Sequence, residues 1–237
     1  MTFWDFCAPF YDIAQKTNGN TYTKMIEKVR EHVPQNATVL EVAAGTGAIS
    51  IAVADKVKSI YCTDISERML LIARRKANKR RISNISFANL DALDIDIQDN
   101  CFDVIIAGQV LHLLNDPIKA ASELRRVAKD TVILPMSFIK NLYGMAKFKM
   151  TFFRLLGFNP RYEFDGHSYA EFLQEIGFEN CTIIEIPGNI PMAVAIWKGG
   201  EKMQQAMKSI NPDCKCNNCK CNPCICKPVE PYPCGCD

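Results

Sequence analysis

Between residues 37 and 137 of this 237-residue chain, five short apolar runs alternate with stretches of helical periodicity. The runs are ATVLEVA (37–43), SIYCTDI (59–65), NISFANL (84–90), FDVIIAG (102–108) and TVILPMS (131–137). Near-continuous apolar runs of this length suit strands covered on both faces. Among the intervening stretches, ISERMLLIARRKA (65–77) sets Ile65, Met69, Ile72 and Ala73 on one helical face. DPIKAASELRRVAK (116–129) has Pro117 just inside its start and cations towards its end, as the helix dipole favours. Such alternation predicts an α/β fold, a doubly wound and mostly parallel sheet with helices on both faces. A ligand of such a sheet sits at the carboxyl ends of the strands. The last apolar stretch differs: IIEIPGNIPMAVAIWK (183–198) reads as an antiparallel hairpin turning at Gly188 and Asn189.

Hydrophobic periodicity stops near Trp197, and from Gly199 onward the chain is mainly Lys, Gln, Asn, Pro and Cys. Cys7, Cys62, Cys101 and Cys181 are scattered through the body, whereas the other eight cysteines crowd between 214 and 236. The expected organisation is a folded domain over 1–198, a linker over 199–213 and a coil-like, Cys-rich tail over 214–237. The near-neutral net charge of +2 argues against a dedicated nucleic-acid binder. MTFWDFCAPFYD has neither the basic nor the apolar region of a signal peptide. No apolar stretch reaches the roughly 18 residues of a membrane span. A cytoplasmic location is expected, where thiols stay reduced.

VLEVAAGTGAIS (39–50) is a strand, a small-residue turn and a helix start, a place where backbone N–H groups can meet a ligand. The dinucleotide fingerprint wants a third glycine five residues after the first; counted from Gly45, Gly47 fits but Ser50 stands at the third place. Glu41, just before the turn, would repel a pyrophosphate yet suits a ligand carrying an ammonium group. Asp64 ends the second run, about 20 residues on, where an acid can accept hydrogen bonds from ribose hydroxyls. It can equally cap the helix that starts near Ser66. Asp91 follows the third run, so three successive strands end in an acid at one edge.

VLEVAAGTG, YCTDIS, ANLDAL and FDVIIAGQVLHLL followed by DPIKAASELRRVAK resemble, in order and spacing, the class I S-adenosylmethionine-dependent methyltransferases. Within them the chain looks most like the small ubiquinone/menaquinone-biosynthesis type, over roughly residues 5 to 198. The resemblance implies a Rossmann-like, seven-stranded sheet whose last strand is antiparallel, and S-adenosylmethionine as cofactor. It puts Glu41 near the methionine amino group, with Ala43, Gly45, Thr46 and Gly47 in the loop that lines the cofactor. Asp64, with Ile65 beside it, would hold the ribose; Asp91 would meet the adenine amino group, with Ala92 and Leu93 along the ring. Gln109 would lie near the methionine end, and Tyr11 in APFYD would form a lid. Ala43 stands where the family often has glycine.

Methyl transfer from a sulfonium needs alignment and exclusion of water, plus a base when the acceptor is a hydroxyl or thiol. His112 is the base candidate among His32, His112 and His167; it can equally be a residue packed in the pocket rim. The small-molecule acceptor should be selected by the N-terminal region (2–33) and by an inserted cap over 138–165. The latter carries Lys140, Lys147, Lys149, Arg154 and Arg161, with no acid through Tyr162. Three readings stand for it: a packed cap helix with a solvated basic side, a lid over the acceptor, or a helix on a membrane surface. RRKANKRR (74–81) reads as a charged helix end.

Cys214, Cys216, Cys219, Cys221, Cys224, Cys226, Cys234 and Cys236 combine C-x-C and C-x2-C spacings without a core of their own. That pattern is of the metallothionein kind and suits a soft ion such as Zn(II) or Cu(I). A disulfide framework fits reduced surroundings poorly. A coupled alternative has the tail capture a thiophilic ion, arsenite by chemical analogy, which the domain methylates or senses.

Overall fold

The computed structural model describes residues 3–16 and 18–199. Two helices, α1 (Phe3–Lys16) and α2 (Asn20–His32), precede a sheet of seven strands. The strands are β1 (Thr38–Val42), β2 (Ser59–Asp64), β3 (Ile85–Asn89), β4 (Phe102–Ala107), β5 (Ala128–Ser137), β6 (Thr182–Ile186) and β7 (Met192–Lys198). Between them run α3 (Ala48–Val53), α4 (Glu67–Lys79), α5 (Pro117–Val127), α6 (Gly144–Leu155) and α7 (Gly166–Glu175).

The sheet order is β3-β2-β1-β4-β5-β7-β6. β1 pairs in parallel with both β2 and β4, β2 with β3, and β4 with β5, while β6 and β7 pair antiparallel. The α/β class, the mostly parallel sheet and the terminal hairpin are all as the sequence predicts. The winding reverses at β1, so the crevice beyond the carboxyl ends of β1 and β4 is the place such a sheet offers a ligand.

Strand periodicity of two divides the apolar side chains between two buried layers. Leu40, Ile105 and Val132 join Leu124 of α5 and Phe172 of α7 on one face. Val39, Ile106 and Ile133 join Met25 of α2 and Val53 of α3 on the other. Buried on both sides, these strands hold the loops at their ends in fixed positions.

Helix boundaries follow their caps. Ser66 caps α4 by accepting from Met69 N at 3.2 Å, so the cap is Ser66 rather than Asp64. The buried face of α4 is Met69, Leu70, Ala73 and Ala77; Ile65 lies outside the helix and is exposed, because the chain turns into the cap one residue later. Asp116 caps α5, with Pro117 at its first turn. The insert after β5 contains α6, none of whose residues is buried. The tail cysteines, and the expected linker beyond Gly199, lie outside the described residues.

Candidate active site

The turn after β1 is built on left-handed backbone. Ala43, Gly45 and Gly47 have φ of 54°, 56° and 71°. Gly47 must lack a side chain, since a Cβ there would stand 2.9 Å from Ala73 Cβ and drive α4 off the loop. A Cβ on Gly45 would lie 3.7 Å from the Tyr11 ring, in ordinary contact. Ala43 carries a methyl group in a conformation that costs an L-residue about 1 kcal/mol, so its substitution for glycine is a strained feature rather than a neutral one.

Two carboxylates hold this turn from beneath. Glu41, 3% exposed, accepts from Ser50 N at 2.8 Å and from Ser50 Oγ, fastening the start of α3 to β1. Burial raises its pKa to about 7, against the opposing hydrogen bonds from Ser50. Asp64 accepts from Gly45 N at 2.7 Å with one oxygen and from Ser66 N at 2.8 Å with the other. Burial also raises its pKa, opposed by those same N–H groups. Asn89 closes the next strand end by donating to the carbonyls of Asp64 at 3.1 Å and Ile65 at 2.8 Å. Asp91 lies two residues beyond β3, exposed, and accepts from Leu93 N at 2.9 Å; Ala92 beside it is buried and Leu93 half-buried. The three acids therefore occur at three adjacent, parallel strand ends.

Helix α1 covers the turn. Asp12 accepts from Thr46 Oγ1 at 2.6 Å and from Lys76 Nζ at 3.0 and 3.1 Å, while Lys76 also reaches Thr46 Oγ1 at 3.1 Å. Asp5 accepts from Ser66 Oγ at 2.6 Å. Trp4 lies edge-on to both Tyr11 and Phe158, with ring centroids 6.3 and 6.2 Å apart, joining α1 to the segment after α6.

On the β4 side, Gln109 has a φ of 57° and accepts from Ser137 N at 3.1 Å through Oε1. Its Nε2 is buried without a hydrogen-bond partner among the described residues, and so is His112 Nδ1. Burying a polar atom unpaired costs about 1–3 kcal/mol. His112 sits in a single 3-10 turn, Leu111–Leu113, with its ring centroid 6.4 Å from that of Phe158. Its carbonyl accepts from Arg161 N at 2.9 Å, so it supports the insert as well. Burial lowers the imidazole pKa to about 4, leaving the ring neutral at physiological pH.

The methyltransferase-domain family profile matches residues 34–160, more than half of the chain and the whole of the turn, the acids and the β4 loop just described. The chain belongs to the methyltransferase-domain family. Demethylmenaquinone methyltransferase of Bacillus licheniformis is 28% identical over 179 residues, which cover 73% of this chain and 74% of the relative. A solved SAM-dependent methyltransferase from Thermotoga maritima shares the fold with a TM-score of 0.64 at 15% identity, over 83% of this chain and 98% of that one. One from Aquifex aeolicus gives 0.57 at 23% identity, over 78% and 97%.

Within this methyltransferase domain, the structure gathers Tyr11, Ala43, Gly45, Thr46, Gly47 and Asp64 around one turn, with Glu41 beneath it. Gln109 and His112 lie beyond the end of β4 and Asp91 beyond the end of β3. The sequence reading missed Ser50, Asp12 and Lys76. Ser50 occupies the place where the dinucleotide fingerprint has glycine, which was the available clue to a partner for Glu41. Asp12 adjoins Tyr11 in APFYD, but nothing in the sequence pairs it with a lysine 64 residues away.

Two outcomes follow. A43G should raise stability by about 0.5 kcal/mol, relief of strain outweighing glycine's entropy, whereas G47A should lower it by about 2 kcal/mol through overpacking against Ala73; urea midpoints check both. For Glu41, the folded state keeps its proton up to about pH 7, while the unfolded chain releases it near the ordinary 4.5. The folded state thus binds more protons in that window, and stability falls as pH rises through it. The stability of E41Q relative to the parent should climb by up to about 3 kcal/mol between those pH values and stay level above them, measured by urea unfolding at stepped pH.

Proposed function

We propose that the domain binds S-adenosylmethionine across the carboxyl ends of β1, β2 and β3, and passes its methyl group to a small apolar acceptor beside Gln109 and His112. The observation that carries this reading is the glycine turn pinned between Asp64 and α1 in a methyltransferase-family domain. The residues fit the cofactor. Asp64 uses one lone pair of each oxygen on Gly45 and Ser66, leaving a further acceptor site on each for ribose hydroxyls. Gln109 Nε2 is a buried donor without a partner among the described residues.

When bound, the cofactor supplies a methyl group already activated by its sulfonium centre. The chain's part is to orient and to exclude water. Asp64 fixes the ribose end, with Ile65 at its side; Asp91 takes the adenine amino group, with Ala92 and Leu93 flanking the ring. Ala43, Gly45, Thr46 and Gly47 present the turn, and Tyr11 closes over it. Glu41 acts through Ser50 on the shape of the turn and sets a negative charge beneath a cationic ligand. His112, neutral, is able to accept a hydrogen bond or a proton from the acceptor. The aromatic grouping of Trp4, Phe158 and His112, together with the similarity to demethylmenaquinone methyltransferases, favours an apolar ring as acceptor. The tail has a separate role in this reading: its eight cysteines bind a soft ion, Zn(II) or Cu(I), supported by their spacing.

Calorimetric titration of S-adenosylmethionine into the full chain should give one site, and D64A should weaken it about tenfold or more, as expected for lost charge-assisted hydrogen bonds. Replacing all eight tail cysteines with serine should leave that affinity unchanged while removing the chelatable metal of anaerobically purified protein. Absence of binding by the parent chain contradicts the reading.

A further inference from the structure

Helix α6 exposes large apolar side chains that the fold leaves uncovered. Met145, Phe148, Phe152 and Leu155 are between 53% and 82% exposed, and Tyr143 at the helix start is 83% exposed. On a helix of 3.6 residues per turn, the first four fall within about 80° of one another, one continuous stripe. The half-buried side of α6 is different: Ala146, Met150 and Phe153. Lys149 flanks the stripe on one edge, its Nζ 5.9 Å over the Phe153 ring, and Lys147 and Arg154 lie beyond the other edge.

Charge selects the occupant. Residues 138–162 hold five cations and no acid. Lys140 and Arg154 pair with Asp165 and Glu163 just beyond that stretch, and residues 138–165 together keep a net charge of +3. A second copy of this face would set cation against cation. The chain beyond Lys198 has five lysines against four acids, so it brings no complementary charge. An apolar stripe edged by cations matches an anionic lipid surface, where the stripe enters the acyl boundary and the cations meet phosphates. Among the described residues no helix is long and apolar enough to cross a membrane, so this contact lies in the plane of the interface.

We infer that α6 docks the protein on anionic membrane surfaces through Met145, Phe148, Phe152 and Leu155, with Lys147 and Lys149 as its electrostatic flank. This stands independently of the cofactor and acceptor assigned above. Each net positive charge near such a surface strengthens binding about fivefold, so the +3 of residues 138–165 predicts a preference of about a hundredfold for anionic over neutral lipid.

The test is flotation of the full chain with vesicles of phosphatidylcholine alone, or with one third phosphatidylglycerol. The expected result is partition onto the anionic vesicles, weakened by salt, and lost in F148E/F152E. That variant changes only exposed positions, so its melting and its affinity for S-adenosylmethionine should match the parent. K147Q should reduce partition about fivefold. Absence of partition, equal partition on both vesicle types, or retention by F148E/F152E overturns the proposal. So does sedimentation showing that F148E/F152E converts a dimer to a monomer, which would make this face an interface between copies.

Discussion

One carboxylate, Asp64, sets the geometry on which the rest of the site depends. It ends a buried strand, so its position is fixed by the sheet rather than by a loop. One oxygen takes the N–H of Gly45 and the other that of Ser66, so the first turn and the start of α4 are built from the same group. A charged acceptor makes both hydrogen bonds stronger than neutral ones. Because α4 then presses Ala73 against Gly47, the turn has room for glycine only at that place. The strain at Ala43 persists because these contacts over-determine the backbone around it.

The same turn is clamped from above by polar rather than apolar contacts. Asp12, Thr46 and Lys76 form a closed triangle of hydrogen bonds, and Asp5 adds a second point on Ser66. Partly exposed contacts of this kind hold α1 less firmly than the core holds the strands, which suits the covering role proposed for it. Beneath the turn, Glu41 is neutral or charged within reach of physiological pH. A cationic ligand bound above it, as proposed, would favour the charged form and so couple its binding to proton release from Glu41.

The sheet, its terminal hairpin and the domain's place in the methyltransferase family were legible because apolar strand periodicity and the spacing of Gly45, Asp64 and Asp91 are local signals. The seven strands and the antiparallel last one followed from resemblance, whereas the seventh strand's insertion between β5 and β6 is seen only in the structure, since no local pattern dictates strand order. Ile65 was misplaced onto the helix because the apolar period continues through it, while the cap at Ser66 resets the chain direction. Ser50 and the Asp12–Lys76 pair were invisible because long-range polar pairing leaves no periodic trace. The exposure of α6 was equally hidden: a helix with apolar residues on several sides looks packable until the fold shows which side has a partner. That the acids stand at one sheet edge was readable, whereas the inward turn of Glu41 onto Ser50 was not.

Hydrogen exchange on the full chain, with and without saturating S-adenosylmethionine, tests the central claim most directly. The account predicts added protection at the amides of 43–50, 64–66 and 91–93 and along α1, with α6 unchanged. Unaltered exchange at these strand ends, or protection confined to other parts of the domain, would contradict it.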